Sequence, residues 1–349
     1  MSIDNATKLA KYVVKARRPN MGWSWGQGLM GGALSDLDDY LNTDISTEFL
    51  QTFCDYYHKH TPTVASADTS APALITYAMQ KKVGKPEYKA LTDRVINYIK
   101  YEPRLIGDAV NHHGSSLIGK FYPKSIWVDS LMMFSVFPAI YASENGDKEL
   151  LDIAARQPSL YAKYMMDKDD NLWYHSYWVK FATHYPKNKV YWGRGNAWVI
   201  SALPKILDRI GGHPERQNIL EILEKTSAAL LKCQRKDGAF DTVLQKPGKT
   251  YRELSATALI ADGWLHSVRT GYLPESYLEP ALKAYKAVDD AIIINEKGVF
   301  MPEISAPTSP LPPFPYLVYK ITPKAKNLAY GVAAYIWAAI EYDKLMRGA

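Results

Sequence analysis

Cysteine is nearly absent from this chain of 349 residues, which has only Cys54 and Cys233. Both fall inside apolar helical patterns, so they read as buried free thiols of a reducing compartment, and neither a disulfide frame nor a cysteine metal site is expected. The eight histidines include no HExxH pattern or comparable ligand spacing, and no metal or other cofactor is expected. No stretch reaches the ~18 apolar residues that crossing a bilayer requires. The amino terminus sets Ile3, Ala6, Leu9, Val13 and Ala16 at helical spacing with lysines between them. It lacks the apolar run of a secretion signal, so a cytoplasmic protein with no membrane contact is expected. A strong excess of one charge sign is absent too. The formal net charge is +6 with Lys and Arg dispersed, which gives no support to a nucleic-acid partner and mildly favours a small anionic substrate. No linker divides the chain, and one catalytic domain over residues 1–349 is expected.

What the chain does have is a beat. Asp68 precedes TSAPALITYA, Asp129 precedes SLMMFSVFPAIYA, Trp192-Gly193-Arg194 precedes GNAWVISAL, and Glu253 precedes LSATALIADGW, at steps of 61, 63 and 61 residues. A ring of helical hairpins has this period, because each repeat needs two helices and two turns, and equivalent loops then face one end. Apolar periodicity and stop signals predict twelve helices, near 3–17, 28–40, 45–59, 71–82, 87–100, 129–143, 147–167, 196–210, 214–233, 254–269, 277–293 and 327–346. The even-numbered ones, such as APALITYAMQ and YGVAAYIWAA, are small and apolar on most faces, whereas the odd ones carry a charged stripe. Inner and outer layers follow, and the expected fold is all-α, an (α/α)6 barrel of six helical hairpins. Short strands are expected at Gly119–Tyr122 and Leu172–Val179. The Pro-rich region from Gly298 to Pro323, with Pro302, Pro307, Pro310, Pro312, Pro313, Pro315 and Pro323, is too rich in proline for helix or interior strand and is expected to cross the mouth as an ordered loop, either a lid or a stiff connector.

Each loaded residue has a bland explanation. Asp129, next to Trp127 in IWVDS, could be a helix N-cap, which contributes on the order of 1 kcal/mol. In phase with Asp68, however, two carboxyls meeting across a ring cannot both ionise cheaply, so one can stay protonated near neutral pH. VYWGRGNAWV offers the flat faces of Trp192 and Trp198 for a sugar ring and the Arg194 guanidinium for two-point contact with a carboxylate; the bland reading makes these core residues and a structural ion pair. His175 in LWYHSYW could donate a hydrogen bond to substrate. His112 and His113 in NHHGSS are weaker candidates, His113 being the one assigned to substrate binding with Trp127. For Glu253 a capping role is favoured.

Taken together, YPKSIWVDSLMM, LWYHSYW, VYWGRGNAWV, the Gln234–Gly238 segment and RELSATA resemble the unsaturated glycuronyl hydrolases of glycoside hydrolase families 88 and 105, most closely the unsaturated rhamnogalacturonyl hydrolase type of family 105. The resemblance runs from about Trp23 to the closing YGVAAYIWAAIEY. It implies the (α/α)6 barrel and hydration of the 4,5 double bond of an unsaturated uronic acid, with Asp129 as the catalytic acid of the WxD motif and Asp68 as the second active-site aspartate. It likewise implies substrate contacts from His175, Trp192, Trp198 and Arg194. The chain departs from the family pattern at Ser130, where an acidic residue or glycine is frequent, and in LMMFSVFP. The expected substrate is a small anionic oligosaccharide, first a rhamnogalacturonan-derived (pectin) disaccharide. An unsaturated glucuronyl substrate, a sugar epimerase on the same ring and a non-catalytic glycan-binding protein are the alternatives.

Overall fold

The computed structural model describes residues 2–310 and 313–348. The expected helices are present, with ends displaced by a few residues. Six form an inner ring: Trp25–Leu41, Ala73–Val83, the continuous pair Leu131–Val136 and Phe137–Asn145, Gly193–Ile210, Leu254–Arg269 and Ala329–Arg347. Neighbouring inner helices touch in that order, and Ala329–Arg347 closes the ring against Trp25–Leu41. Six outer helices alternate with them: Ser2–Ala16, Thr47–Lys59, Pro86–Tyr101, Lys148–Met165, Arg216–Leu231 and Leu278–Asp289. This is the (α/α)6 barrel, and one contiguous apolar core runs through it from Ile3 to Ile340. Among the described residues no helix is long and apolar enough to cross a membrane.

Side-chain size sorts the layers. The outer helix Lys148–Met165 buries one face only, through Leu150, Ala154, Ala155, Pro158, Tyr161 and Met165. The inner helices are buried nearly all round and need small residues where they meet. A Cβ on Gly28 would lie 2.5 Å from the Ala71 and Pro72 backbone, so only glycine lets Trp25–Leu41 approach the next hairpin. The third inner helix departs from regular geometry. Its first six residues, Leu131–Val136, form a π-helical turn just ahead of Pro138, which has no N–H to offer the Phe134 carbonyl and whose ring crowds it.

Two sequence expectations are corrected here. Gly119–Tyr122 is not a strand: Leu117–Phe121 is a short helix, capped by Ser116 Oγ, which accepts from the Gly119 N–H at 3.2 Å. Of Leu172–Val179 only Ser176–Trp178 is a strand, the centre of an antiparallel sheet between Ser125–Trp127 and Thr183–Tyr185. The region from Gly298 to Pro323 also holds more structure than its prolines predict. Gly298–Phe300 pairs with Ile293–Asn295, Ile304–Ser305 pairs with Lys324–Ala325, and Pro315–Ile321 is a helix with Pro315 in its first turn, where no N–H is needed. Pro312 lies outside the described residues.

Candidate active site

The loops that start the inner helices gather at one end of the barrel, as the beat predicts, and the small sheet decides what meets there. Trp127 pairs with Ser176, and the Val128 N–H donates to the His175 carbonyl at 3.0 Å, so Asp129 and His175 leave adjacent strands side by side. The Asp129 backbone starts the helix, its carbonyl accepting from Met132 and Met133 at 3.0 and 3.1 Å. Its side chain caps nothing, and Oδ2 is buried with no hydrogen-bond partner. Asp68 sits in the single turn Ala67–Thr69, which is closed by Thr69 Oγ1 accepting from the Ser66 N–H at 2.9 Å, again without use of the aspartate. Ser70 Oγ donates to the carbonyls of Ala67 and Met133 and so pins the two aspartate turns together. Capping thus explains neither aspartate, whereas Glu253 is a cap in full: its carboxylate accepts from the Ala256 N–H and from Ser255 Oγ.

Burial pushes the Asp129 carboxyl up to about 7, against the pull of the Arg194 charge and of the indole N–H of Trp198, which makes no well-formed hydrogen bond of its own. Burial and the charge of Asp129 push Asp68 up to about 7 as well. Solvent still reaches 14% of the Asp129 side chain and 30% of Asp68, as in a narrow recess and not a sealed core. Each carboxyl has an imidazole beside it. His175 Nε2 lies 3.5 Å from Asp129 Oδ2, and His112 Nε2 lies 3.6 Å from Asp68 Oδ1. Burial, with the Arg194 charge for His175 and the neighbouring His113 and His175 for His112, holds both rings well below the usual histidine range, so both are neutral at pH 7. Trp127 lies between the two pairs, stacked on His112 at 4.4 Å and edge-on to His175 at 5.1 Å, with its own N–H donated to Ser125 Oγ. The arrangement sets two coupled carboxyls, both raised toward neutral pH, in one recess with a neutral imidazole beside each.

The aromatic residues and Arg194 complete the wall. Trp192 stacks on His175 at 4.2 Å, and Gly195 makes room for it, since a Cβ there would sit 2.8 Å from the indole ring. The indole N–H groups of Trp192 and Trp198 are buried without hydrogen-bond partners, a cost that a bound polar ligand would relieve. Arg194 is fully buried between the rings of Trp192 and Tyr330, at 4.7 and 4.8 Å. Its fork faces protein: Nη1 donates to the Ser305 carbonyl at 3.0 Å, Nη2 to the Ala306 carbonyl at 3.1 Å, and Glu253 Oε1 lies 3.7 Å from Nη1. Only Nε is left without a partner. His113 packs against Tyr122 and the edge of Trp127, while His112 is the one of the two that lies beside Asp68. That placement is set by backbone pairing, for His112 accepts from the Ala67 N–H and donates to the Ser125 carbonyl, bridging the Asp68 turn to the Trp127 strand. Sequence reading also passed over Tyr319, whose hydroxyl is 2.9 Å from His175 Nδ1.

The family model described as Glycosyl Hydrolase Family 88 matches residues 3–346. Among curated proteins, the chain is 23% identical over 284 residues to the unsaturated rhamnogalacturonyl hydrolase YesR of Bacillus subtilis (strain 168), covering 80% of each chain. It is 24% identical over 283 residues to an unsaturated 3S-rhamnoglycuronyl hydrolase of Alteromonas sp. (strain LOR), covering 79% of this chain and 66% of that protein. Among solved structures, a glycoside hydrolase of family 105 from C. acetobutylicum ATCC 824 superposes with a TM-score of 0.87 at 23% identity, over 97% of this chain and 99% of the other.

Proposed function

This chain belongs to Glycosyl Hydrolase Family 88 and is a glycoside hydrolase, and from that premise we propose that it hydrates the 4,5 double bond of an unsaturated uronic acid at the non-reducing end of lyase-generated oligosaccharides. The observation that carries the reading is the Asp129–Asp68 pair, both pushed up to about 7 and neither used as a cap. Protonated Asp129 delivers its proton to C4, positive charge spreads over C5 and the ring oxygen, and the resulting Asp129 carboxylate takes a proton from the water that adds at C5. The C5 hemiketal then opens to a ketone, C1 becomes a hemiacetal, and its collapse releases the neighbouring sugar together with an open-chain keto product. Because the anomeric carbon is not attacked, the separation of the two carboxyls carries no stereochemical message. The Bacillus subtilis relative is named an unsaturated rhamnogalacturonyl hydrolase, which supports a rhamnogalacturonan-derived disaccharide as the first substrate to try, and the Alteromonas relative's name, unsaturated 3S-rhamnoglycuronyl hydrolase, supports a rhamnose-containing one more broadly.

Loss of ultraviolet absorbance from a panel of unsaturated disaccharides, ending in rhamnose, N-acetylhexosamine or galacturonate, tests the reading. Decay is expected with the rhamnose-terminated member. No decay with any member, from folded protein, would defeat it. The pH dependence is a second check on the same assay. The acid must be protonated, so kcat/KM is expected to fall about tenfold per pH unit once pH exceeds the Asp129 value near 7. A rate still climbing at pH 8.5 would contradict the role given to Asp129.

A further inference from the structure

His175 has no freedom in this site. Its ring is fully buried and stacked on Trp192, so it can neither swing out nor take up solvent, and which nitrogen carries the proton is decided by its two neighbours. One is Tyr319, whose hydroxyl lies 2.9 Å from Nδ1. The other is Asp129, whose Oδ2 lies 3.5 Å from Nε2. Tyr319 is itself fully buried, and among the described residues its hydroxyl has no other hydrogen-bond partner. A buried O–H that donates to nothing keeps the full cost of its lost hydration. If Nδ1 carried the proton, the phenol would lose its acceptor and, once Asp129 has given up its proton, the Nε2 lone pair would face a carboxylate oxygen. With the proton on Nε2 both conflicts vanish.

We propose that Tyr319 is a positioning residue: by donating its O–H to His175 Nδ1 it confines the imidazole to the tautomer protonated on Nε2, and so aims an N–H at the Asp129 carboxyl and at whatever is bound beside it. The inference uses the reading of Asp129 as the acid only for its catalytic consequence. An N–H aimed at Oδ2 steadies the carboxylate that remains after proton delivery, the state that must next assist water. It also gives the helix within the Pro-rich region a function. Tyr319 rides on the helix Pro315–Ile321 and is locked against Val190, Trp192 and Val243 in a small cluster of its own. The helix Pro315–Ile321 is therefore a wall of the site that reaches His175 from 144 residues away in sequence.

Tyr319→Phe keeps the ring in that cluster and removes the donor. Nitrogen-15 NMR of histidine-labelled protein, with the His175 signal identified by its loss in His175→Asn, reads the tautomer without need of a substrate. In the parent protein His175 is expected neutral, with bare Nδ1 and protonated Nε2; in Tyr319→Phe the two resonances are expected to move toward each other as the tautomers mix. On a turned-over substrate, kcat is expected to fall about tenfold or more, a part of the ~10²–10⁴ contributed by positioned proton-transfer groups, with KM within about twofold. A parent imidazole protonated on Nδ1, a Tyr319→Phe spectrum identical to the parent's, or an unchanged kcat would overturn the proposal. If no unsaturated saccharide is hydrated, the functional reading fails on its own and the NMR result decides the tautomer.

Discussion

Asp129→Asn is expected to lose turnover by about 10³-fold or more while giving a protein more resistant to unfolding than the parent above neutral pH. The two effects share one cause. The recess holds a carboxyl whose Oδ2 makes no well-formed hydrogen bond, with His175 Nε2 no nearer than 3.5 Å, and burial raises its pKa to about 7 from an ordinary 3.8. Between those values the folded chain keeps a proton that the unfolded chain has released. Stability therefore falls as pH rises through that window and stays lowered above about 7. Asparagine does not titrate, so the variant escapes the penalty, by about 2–4 kcal/mol at pH 8 and by nothing near pH 4. Thermal unfolding at both pH values checks the sign, and the absorbance assay checks the turnover. More than ~10% residual activity would remove Asp129 from the role of acid, and a variant less stable than the parent at pH 8 would refute the burial account. Asp68→Asn should also be severely impaired. Because coupling between two carboxyls is reciprocal, it should carry the alkaline limb of any residual activity to lower pH.

That trade of stability for a poised proton also bears on what the sequence could disclose. The four-fold beat locates the starts of four inner helices, and with it the end of the barrel where Asp68, Asp129, Trp192 and Glu253 collect, because a repeat period constrains topology before any contact is known. Residue type then separates the layers, since glycine and alanine are what a helix enclosed on all sides needs. Three features resisted. Which of His112 and His113 faces the aspartates depends on a single backbone pairing with Ala67 and Ser125, and adjacent identical residues carry no pattern that would reveal it. Leu117–Phe121 folds as a helix because Ser116 caps it, a local hydrogen bond that outweighs the strand propensity of its aromatic end. Tyr319 is separated from His175 by most of the barrel and sits among prolines that argue against any regular element, so only the closed fold brings the two together.

Arg194→Leu is expected to be the most destabilising single change in the site, at about 3–5 kcal/mol, because it breaks a buried, hydrogen-bonded charge from one side. The guanidinium serves the carbonyls of Ser305 and Ala306 and lies against Glu253, whose carboxylate also accepts from the Ser305 N–H at 2.8 Å. Removing it leaves an acidic group and two carbonyls short of donors in the same place. Arg194→Lys keeps the charge but cannot reach two carbonyls with a planar fork, and is expected to recover less than half of the loss. Chemical denaturation measures the cost, and limited proteolysis within residues 298–323 shows whether the wall has loosened. The outcome discriminates between two uses of the residue. An arginine that chiefly clamps a substrate carboxylate would, when replaced, raise KM and leave stability and protease resistance unchanged. An arginine that anchors the wall would lower stability first, and would take kcat with it, since the same region carries the tyrosine that holds His175 in register with Asp129. The geometry favours the second: both Nη groups are already spent on backbone, and the charge acts on Asp129 through space, opposing the upward push of burial on the carboxyl.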